Sequence, residues 1–267
     1  MGKRGLSIVI PAFNEERRLP PTIREVMDWA AATAVFDVEL IIVDDGSADA
    51  TCDIVREMAR TEPRLRLVEE PHVGAMNAIL SGFRHARHEL VGNMDADCAV
   101  HPREFERLLP HVGEKGCAIG SRILRGDLPP VEGKSAARSL ISWIMSTLFV
   151  VLFPMGVRDP QIGFKLYDRK AVLGVVPKMR LKHDGLKHAE IIVRAHGLGM
   201  TVTELPVPYI HDDDSRCVPK APLKALKTTM RAGLAVFEIW IQCSLDYRRG
   251  LLPRCPTRGS ILFVPFA

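Results

Sequence analysis

The feature that most constrains the fold is a regular alternation of short apolar runs and segments with helical spacing over the first hundred residues. Four runs rich in β-branched and apolar residues are predicted as strands, and helical segments separate them. The predicted strands are Leu6–Pro11, Val38–Val43, Leu65–Glu69 and Leu90–Met94. The order β-α-β-α-β-α-β predicts an α/β fold, with a mostly parallel central sheet and helices on both faces.

Polar clusters follow three of these four predicted strands. They are Asn14-Glu15-Glu16, Asp44-Asp45-Gly46-Ser47 and Asp95-Ala96-Asp97. Because sheets of this class bind ligands beyond the carboxyl ends of their strands, we expect all three clusters to line one crevice.

Asp95 and Asp97 carry the chemistry that is easiest to interpret. Side chains alternate along an extended chain, so the two carboxylates are expected to point to the same side. Carboxylate oxygens suit Mg²⁺ or Mn²⁺, and such an ion can neutralise a diphosphate as it leaves a sugar. An isolated Asp-x-Asp tripeptide is more often a solvated turn, so the assignment depends on the shared crevice.

Two other polar residues fit a nucleotide ligand. Asp45 can accept a hydrogen bond from a base or a ribose, although Asp-Gly-Ser is also common turn chemistry. Arg122 follows a predicted strand at Ala118-Ile119 and offers a guanidinium to a phosphate, although a surface salt bridge explains an isolated arginine equally well.

Composition limits the partners and the compartment. The net charge of +4 and the pI of about 8.8 suit anionic ligands or an anionic membrane surface but are too weak to indicate nucleic acid. The six cysteines are scattered singly, which favours a reducing compartment, and Met1–Leu6 does not read as a signal peptide. We therefore expect a cytoplasmic location, with peripheral contact to the cytoplasmic face of a membrane.

Six blocks in order over residues 6–170 resemble the family 2 glycosyltransferases, and within them the polyprenyl-phosphate sugar synthases of the dolichyl-phosphate glucose and mannose synthase kind. The blocks are SIVIPAFNEE, VDDGSADAT, VGAMNAILSGF, MDADCAVHP, GSR and DPQIGFKLYDR. The resemblance implies a GT-A fold, a UDP- or GDP-sugar donor, and Mg²⁺ or Mn²⁺ as the cofactor.

The resemblance also assigns roles to individual residues. Asp97 is implied as the metal ligand, with Asp95 beside the ribose and the sugar. The residues implied in donor binding are Pro11, Asn14, Glu15, Asp45, Asp95, Arg122 and Arg138. Those implied on the acceptor side are Gln161, Gly163, Phe164, Lys165, Ser215 and Arg216.

The acceptor decides whether a general base is needed. A hydroxyl acceptor requires a nearby carboxylate, whereas a lipid phosphate is already ionised. Asp159, Asp184 and Glu190 are the candidate bases, and salt-bridged or capping carboxylates are the alternative explanation for each. The expected acceptor is a polyprenyl phosphate, and a soluble small molecule or a glycan hydroxyl is the alternative.

The chain departs from the family pattern at two places. The block that begins at Val73 lacks the lysine that usually follows its glycine, since Ala75 follows Gly74. The usual Phe-Asp-x-Glu sequence is also altered, because His188 stands at the aspartate position when Glu190 is aligned with the glutamate. These departures leave open a sugar-nucleotide-binding relative without turnover. A nucleotidyltransferase is a further alternative, because that class also combines parallel sheets with metal-binding aspartates.

Two apolar segments bear on membrane contact. Leu140–Met155 is shorter than the roughly 20 residues of a membrane span and is predicted as a core or interfacial helix. Leu223–Leu245 is predicted as a basic amphipathic helix that can lie on an anionic membrane or pack on the domain. We expect a catalytic domain over 1–219 and an amphipathic helix with a tail over 220–267.

Overall fold

The computed structural model describes residues 2–113, 115–124, 136–180, 186–210 and 222–257; for 136–142 and 222–229 it describes the backbone alone. Seven strands in this part of the chain form one sheet. The strands are β1 (Arg4–Ala12), β2 (Phe36–Asp44), β3 (Leu65–Glu69), β4 (Leu90–Asn93), β5 (Gly116–Ser121), β6 (Lys165–Asp168) and β7 (Thr201–Pro206). The helices are α1 (Leu19–Ala32), α2 (Thr51–Ala59), α3 (Ala75–His85), α4 (Glu104–Leu108), α5 (Ala136–Leu152), α6 (Arg169–Val175), α7 (Lys187–Gly197) and α8 (Pro222–Arg248).

The sheet confirms the predicted fold class. Its strand order is β3-β2-β1-β4-β6-β5-β7. Strands β1 to β4 are mutually parallel, as is the β5–β7 pair. Strand β6 runs antiparallel to both β4 and β5, and it had no predicted counterpart among the strands. Its insertion beside β4 brings the Gly-Phe-Lys block next to the end of the strand that precedes Asp95.

Alternation along β1 explains why both faces of the sheet are covered. Leu6 and Ile8 belong to a core cluster on one face, together with Ile23 of α1. Val9 belongs to a second cluster on the opposite face, together with Phe83 of α3. Because both faces of the sheet carry buried residues, helices cover both of them. The carboxyl ends of the strands are not covered by these two layers and are the place where sheets of this class bind ligands.

Helices α5 and α8 pack on the second of these clusters. Phe149 and Phe153 are buried at and just beyond the end of α5, and Val236 and Ile239 are buried on α8. The predicted domain boundary before residue 220 stays a prediction, although α8 packs on the same core as the sheet. No helix within the described residues combines the length and apolar character that a membrane crossing requires.

Candidate active site

The loop after β1 is bound to the turn after β2. The Asn14 N–H donates to Ser47 Oγ at 2.9 Å, and Asn14 Oδ1 accepts from the Ala48 N–H at 2.9 Å. The Glu15 N–H donates to Thr51 Oγ1 at 2.9 Å. Asn14 has a left-handed backbone with φ of 55°, which asparagine tolerates better than most residues. The first two predicted polar clusters therefore meet at one edge of the sheet.

Asp45, predicted to contact the base, organises the loop between β3 and α3. Its Oδ1 accepts from the backbone N–H groups of Val73 at 2.8 Å and Gly74 at 3.0 Å. His72 Nδ1 lies 2.9 Å from Asp45 Oδ2, and the His72 ring stacks on Phe13 at 4.3 Å between centroids. Both aromatic rings are partly exposed. This stacked pair beside Asp45 is named the Phe13–His72 wall.

Asp95 and Asp97 follow β4, as predicted. Asp97 Oδ1 accepts from the Ala99 N–H at 3.1 Å, which fixes the Asp97 side chain on a tight turn. Solvent reaches the Asp95 side chain, although the backbone at Gly163 crowds one side of its carboxylate. This partial desolvation, followed by the charge of Asp97, raises the pKa of Asp95, whereas Lys165 and Arg122 act to lower it. The two carboxylates are therefore close enough for the charge of Asp97 to act on Asp95.

Gly163 allows Asp95 to occupy this position. A Cβ atom at residue 163 would overlap the Asp95 carboxylate, so only glycine leaves room for it. The Gly163 carbonyl accepts from Asn93 Nδ2 at 2.6 Å, which joins the Gly-Phe-Lys block to the end of β4. The acceptor-side block and Asp95 are therefore adjacent.

Lys165, two residues after Gly163, has a fully buried side chain. Its ammonium donates to the Ile162 carbonyl and lies 3.5 Å from His188 Nδ1. Burial lowers the pKa of Lys165 to about 8, and burial together with the Lys165 charge lowers the pKa of His188 well below its usual value. His188, at a position where the family pattern has an aspartate, is thus a neutral neighbour of a buried cation.

Arg122 and Asp159 form a buried ion pair. Arg122 Nε donates to Asp159 Oδ2 at 2.8 Å and Nη2 donates to Oδ1 at 2.7 Å. Burial by itself would raise the pKa of Asp159, but the Arg122 charge and hydrogen bonds hold the pKa below its usual value. Glu204 accepts from the N–H groups of Arg158 and Asp159, each at 2.7 Å, and the Tyr209 ring packs against Arg122. Glu204 was not predicted, because it lies in no recognisable motif.

Glu190 lies in a second buried ion-pair cluster. Its Oε1 accepts from Arg194 Nε at 2.6 Å and from the Arg180 N–H at 2.6 Å. Arg194 is fully buried and also donates to Asp246 Oδ2 on α8 at 2.8 Å. Arg194 therefore links α7 to α8, with Glu190 as its partner on α7, and the predicted role of Glu190 as a base stays a prediction.

The remaining predicted residues are placed as follows. Pro11 is half-buried in β1, and Phe164 is fully buried against Phe105, so Phe164 contributes by packing. Gln161 has a buried Nε2 atom with no hydrogen-bond partner within the described part of the chain, which suits a ligand contact. The predictions on the Arg138 side chain, Asp184, Ser215 and Arg216 lie outside the described residues.

Lys187 lies near the start of α3, where the family pattern has a lysine after the glycine that is Gly74 in this chain. Its ammonium, on the first turn of α7, donates to Asn77 Oδ1 of α3 at 3.2 Å. Asn77 Nδ2 in turn donates to the Val73 carbonyl at 3.1 Å, in the loop that Asp45 holds. A cation is therefore present near this loop, although the block after Gly74 contains none. Sequence reasoning missed it because residues 77 and 187 are far apart in the chain.

The metal that the resemblance implies fits the donor atoms of this edge. Within the described residues no three His, Cys, Asp or Glu side chains converge closely enough to hold an ion by themselves. Asp95 and Asp97 provide hard oxygen ligands, and Mg²⁺ characteristically binds one or two carboxylates and completes its shell with substrate phosphates and water. The arrangement therefore suits a divalent ion that binds together with a diphosphate.

Comparison with known proteins agrees with this geometry. The model of Glycosyl transferase family 2 matches residues 7–173. A dolichyl-phosphate beta-glucosyltransferase, ALG5A, from Trichomonas vaginalis is 34% identical over 218 residues, covering 79% of this chain and 67% of the relative. The chain thus spans about two thirds of that relative's length.

Two solved structures share the fold. Glucosyl-3-phosphoglycerate synthase from Mycobacterium tuberculosis, in complex with Mn²⁺, UDP and glucosyl-3-phosphoglycerate, has a TM-score of 0.61 at 19% identity, covering 88% of this chain and 78% of that one. The mannosyltransferase PcManGT from Pyrobaculum calidifontis, in complex with GDP-Man and Mn²⁺, has a TM-score of 0.56 at 16% identity, covering 94% of this chain and 77% of that one. The fold is therefore the GT-A fold.

Proposed function

The chain belongs to Glycosyl transferase family 2, and we propose that it transfers glucose from UDP-glucose to a polyprenyl phosphate. Family membership makes it a glycosyltransferase and sets aside the nucleotidyltransferase alternative. The name of the Trichomonas relative supports glucose and a dolichyl-type acceptor, and the UDP in the mycobacterial structure supports the nucleotide.

The observation that carries the choice of acceptor is the pairing of Asp159 and Glu190, the two candidate bases within the described residues. Asp159 is held by Arg122 on both oxygens, and Glu190 is held by Arg194. A carboxylate with a lowered pKa, such as Asp159, is a poor proton acceptor. A phosphate acceptor needs no base because its oxygen is already ionised near neutral pH. The two paired carboxylates therefore favour a phosphate over a hydroxyl.

We assign the binding of Mg²⁺ or Mn²⁺ to Asp97, with Asp95 beside it. The ion would neutralise the diphosphate as a Lewis acid. Asp45 and the Phe13–His72 wall would orient the base, while Gly163 keeps Asp95 directed into the crevice. Lys165 would supply positive charge on the acceptor side, whereas the Arg122–Asp159 pair is neutral as a whole.

Transfer to lipid is the direct test. The chain is incubated with Mn²⁺, a polyprenyl phosphate and radiolabelled UDP-glucose, and the products are extracted into organic solvent. We expect label in the organic phase with UDP-glucose and at least tenfold less with GDP-mannose. Label that stays in the aqueous phase with every donor would contradict a lipid acceptor, whereas stronger labelling from GDP-mannose would contradict the choice of donor.

We also propose that α8 lies on the cytoplasmic face of a membrane as a peripheral contact. One row of its large apolar side chains is exposed, at spacings of three and four residues. The row consists of Met230, Leu234, Phe237, Ile241 and Leu245. On α5, Trp143, Ile144 and Val151 are exposed as well. Such a surface suits the interface of a bilayer that contains the lipid acceptor.

Vesicle sedimentation tests the membrane contact. The chain is expected to pellet with anionic phospholipid vesicles and to be released by salt. The double variant Leu234→Ser, Phe237→Ser is expected to lower the partition coefficient about tenfold or more, because each residue loses apolar area that lipid would cover. Glu238→Asp, which keeps the charge at another exposed position of α8, is the matched control. Equal pelleting of the double variant and the wild type would contradict the assignment of this surface.

A further inference from the structure

Glu204, on β7, binds two consecutive peptide N–H groups with its two carboxylate oxygens. Its Oε2 accepts from the Arg158 N–H at 2.7 Å, and its Oε1 accepts from the Asp159 N–H at 2.7 Å. The Ser121 hydroxyl, at the end of β5, hydrogen-bonds to the same carboxylate. Because each oxygen has its own backbone donor, the carboxylate fixes the direction of both peptide groups. Glu204 therefore joins β7 and the end of β5 to the segment that leads into β6.

The same segment carries Asp159, the partner of Arg122. The Arg122 N–H donates to Asp159 Oδ2 at 3.0 Å, in addition to the two guanidinium bonds. The Asp159 backbone is thus held by Glu204, while its side chain is held by Arg122 on both oxygens. The carbonyl of Arg158 accepts from Ser146 Oγ of α5 at 2.9 Å. These bonds give residues 158 and 159 one position relative to β5 and α5.

The other end of this segment, over 158–163, borders the Asp95 carboxylate. Gly163 leaves the room that this carboxylate occupies, and the Gly163 carbonyl accepts from Asn93 Nδ2 at 2.6 Å. Between the two ends lies Gln161, whose buried Nε2 atom has no hydrogen-bond partner within the described part of the chain. A buried amide donor without a partner costs about 1–3 kcal/mol, and a ligand oxygen would remove that cost. A segment held at both ends keeps this donor in one place.

We propose that Glu204 is a positioning residue for the acceptor phosphate; this inference rests on the proposed function. Glu204 fixes residues 158 and 159, so the Gln161 amide stays where its N–H group can donate to an oxygen of that phosphate. The carboxylate acts through this segment and does not touch the acceptor itself. The attacking oxygen must meet the anomeric carbon in a set direction, and a displacement of about 1 Å can lower the rate about 100-fold.

The donor side is held independently of Glu204. Asn14 is bound to the turn after β2, and Asp45 is bound to the loop before α3. Gly163, the part of the segment that borders Asp95, has its own bond to Asn93. A disturbance at Glu204 is therefore expected to alter the use of the acceptor and to spare the binding of UDP.

Two variants of Glu204 and one control separate position from stability. Glu204→Gln keeps the length of the side chain but has one acceptor oxygen, and its NH₂ group would face a peptide N–H. Glu204→Asp keeps both acceptor oxygens on a side chain that is one methylene shorter. Glu39→Gln is the matched control, because Glu39 is a buried carboxylate in the amino-terminal half of β2. It likewise accepts from a hydroxyl, Ser7 Oγ, and from a backbone N–H, that of Arg87, each at 2.6 Å.

Kinetics of lipid labelling test the proposal, at saturating UDP-glucose with Mn²⁺ present and polyprenyl phosphate varied. Glu204→Gln is expected to lower kcat/KM for polyprenyl phosphate about 10- to 100-fold, with its KM raised about threefold or more. Calorimetric titration should give a UDP dissociation constant within about twofold of the wild type. Glu204→Asp is expected to lie between Glu204→Gln and the wild type. Glu39→Gln should lower the melting temperature and keep kcat/KM for polyprenyl phosphate within about twofold of the wild type.

The possible results separate this inference from the proposed function. Thermal melting checks that each variant is folded, and Glu204→Asp provides a second variant if Glu204→Gln is not. An unchanged kcat/KM for polyprenyl phosphate in a folded Glu204 variant would overturn the inference alone. An equal fall in Glu39→Gln, or an equal weakening of UDP binding in Glu204→Gln, would also overturn it, because the effect would then be general and not confined to the acceptor. Failure of the wild type to label lipid from any donor would instead overturn the proposed function and this inference with it.

Discussion

Replacing Asp97 by Asn is expected to lower kcat for sugar transfer about a thousandfold, which corresponds to roughly 4 kcal/mol of lost transition-state stabilisation. The amide keeps the shape of the side chain and can still accept the Ala99 N–H. It removes the charge that a divalent ion requires, so the diphosphate would leave without that neutralisation. The substitution therefore leaves the turn intact, and the expected loss of kcat reports on metal binding.

Steady-state kinetics and Mn²⁺ titration of the Asp97→Asn variant would be compared with Asp53→Asn. Asp53 is an exposed carboxylate on α2 paired with Arg56, and its replacement should leave both readouts unchanged. An unchanged Mn²⁺ affinity of Asp97→Asn, together with a kcat within threefold of the wild type, would contradict the metal role of this residue. Weakened Mn²⁺ binding with a thousandfold lower kcat is the expected combination.

Replacing Arg194 by Met is expected to lower the free energy of unfolding by about 3–5 kcal/mol. Arg194 is fully buried and binds Glu190 on one side and Asp246 on the other. Methionine fills a similar volume but leaves two buried carboxylates without this partner. A contact between Arg180 and Asp246 remains at 3.0 Å and offsets only part of the loss.

Urea unfolding at neutral pH measures this change. Arg60→Gln, which breaks an exposed pair on α2, should cost less than about 1 kcal/mol. A loss under 1 kcal/mol for Arg194→Met would contradict the structural role of this cluster. If, in addition, Glu190→Gln kept its stability but lost kcat, Glu190 would be assigned to catalysis instead.

Much of the fold could be predicted because its signals are local. The apolar runs of β1 to β4 are continuous, and polar turns bound them, so the strand positions were predicted to within two residues at each end. Strand β6 was missed because it is only four residues long and carries both Lys165 and Asp168. Its antiparallel place between β4 and β5 depends on long-range pairing, which no local pattern reports.

The sequence by itself determined the α/β class, the family and the place of Asp95 and Asp97 at the end of a strand, because each depends on residues that are near one another in the chain. Only the tertiary structure decided which charges neutralise one another. Asp159 pairs with Arg122 across 37 residues, and Lys187 reaches Asn77 across 110. Sheet order and helix packing bring such groups within hydrogen-bonding distance, so the same carboxylate can be a base in one fold and a buried ion-pair partner in another.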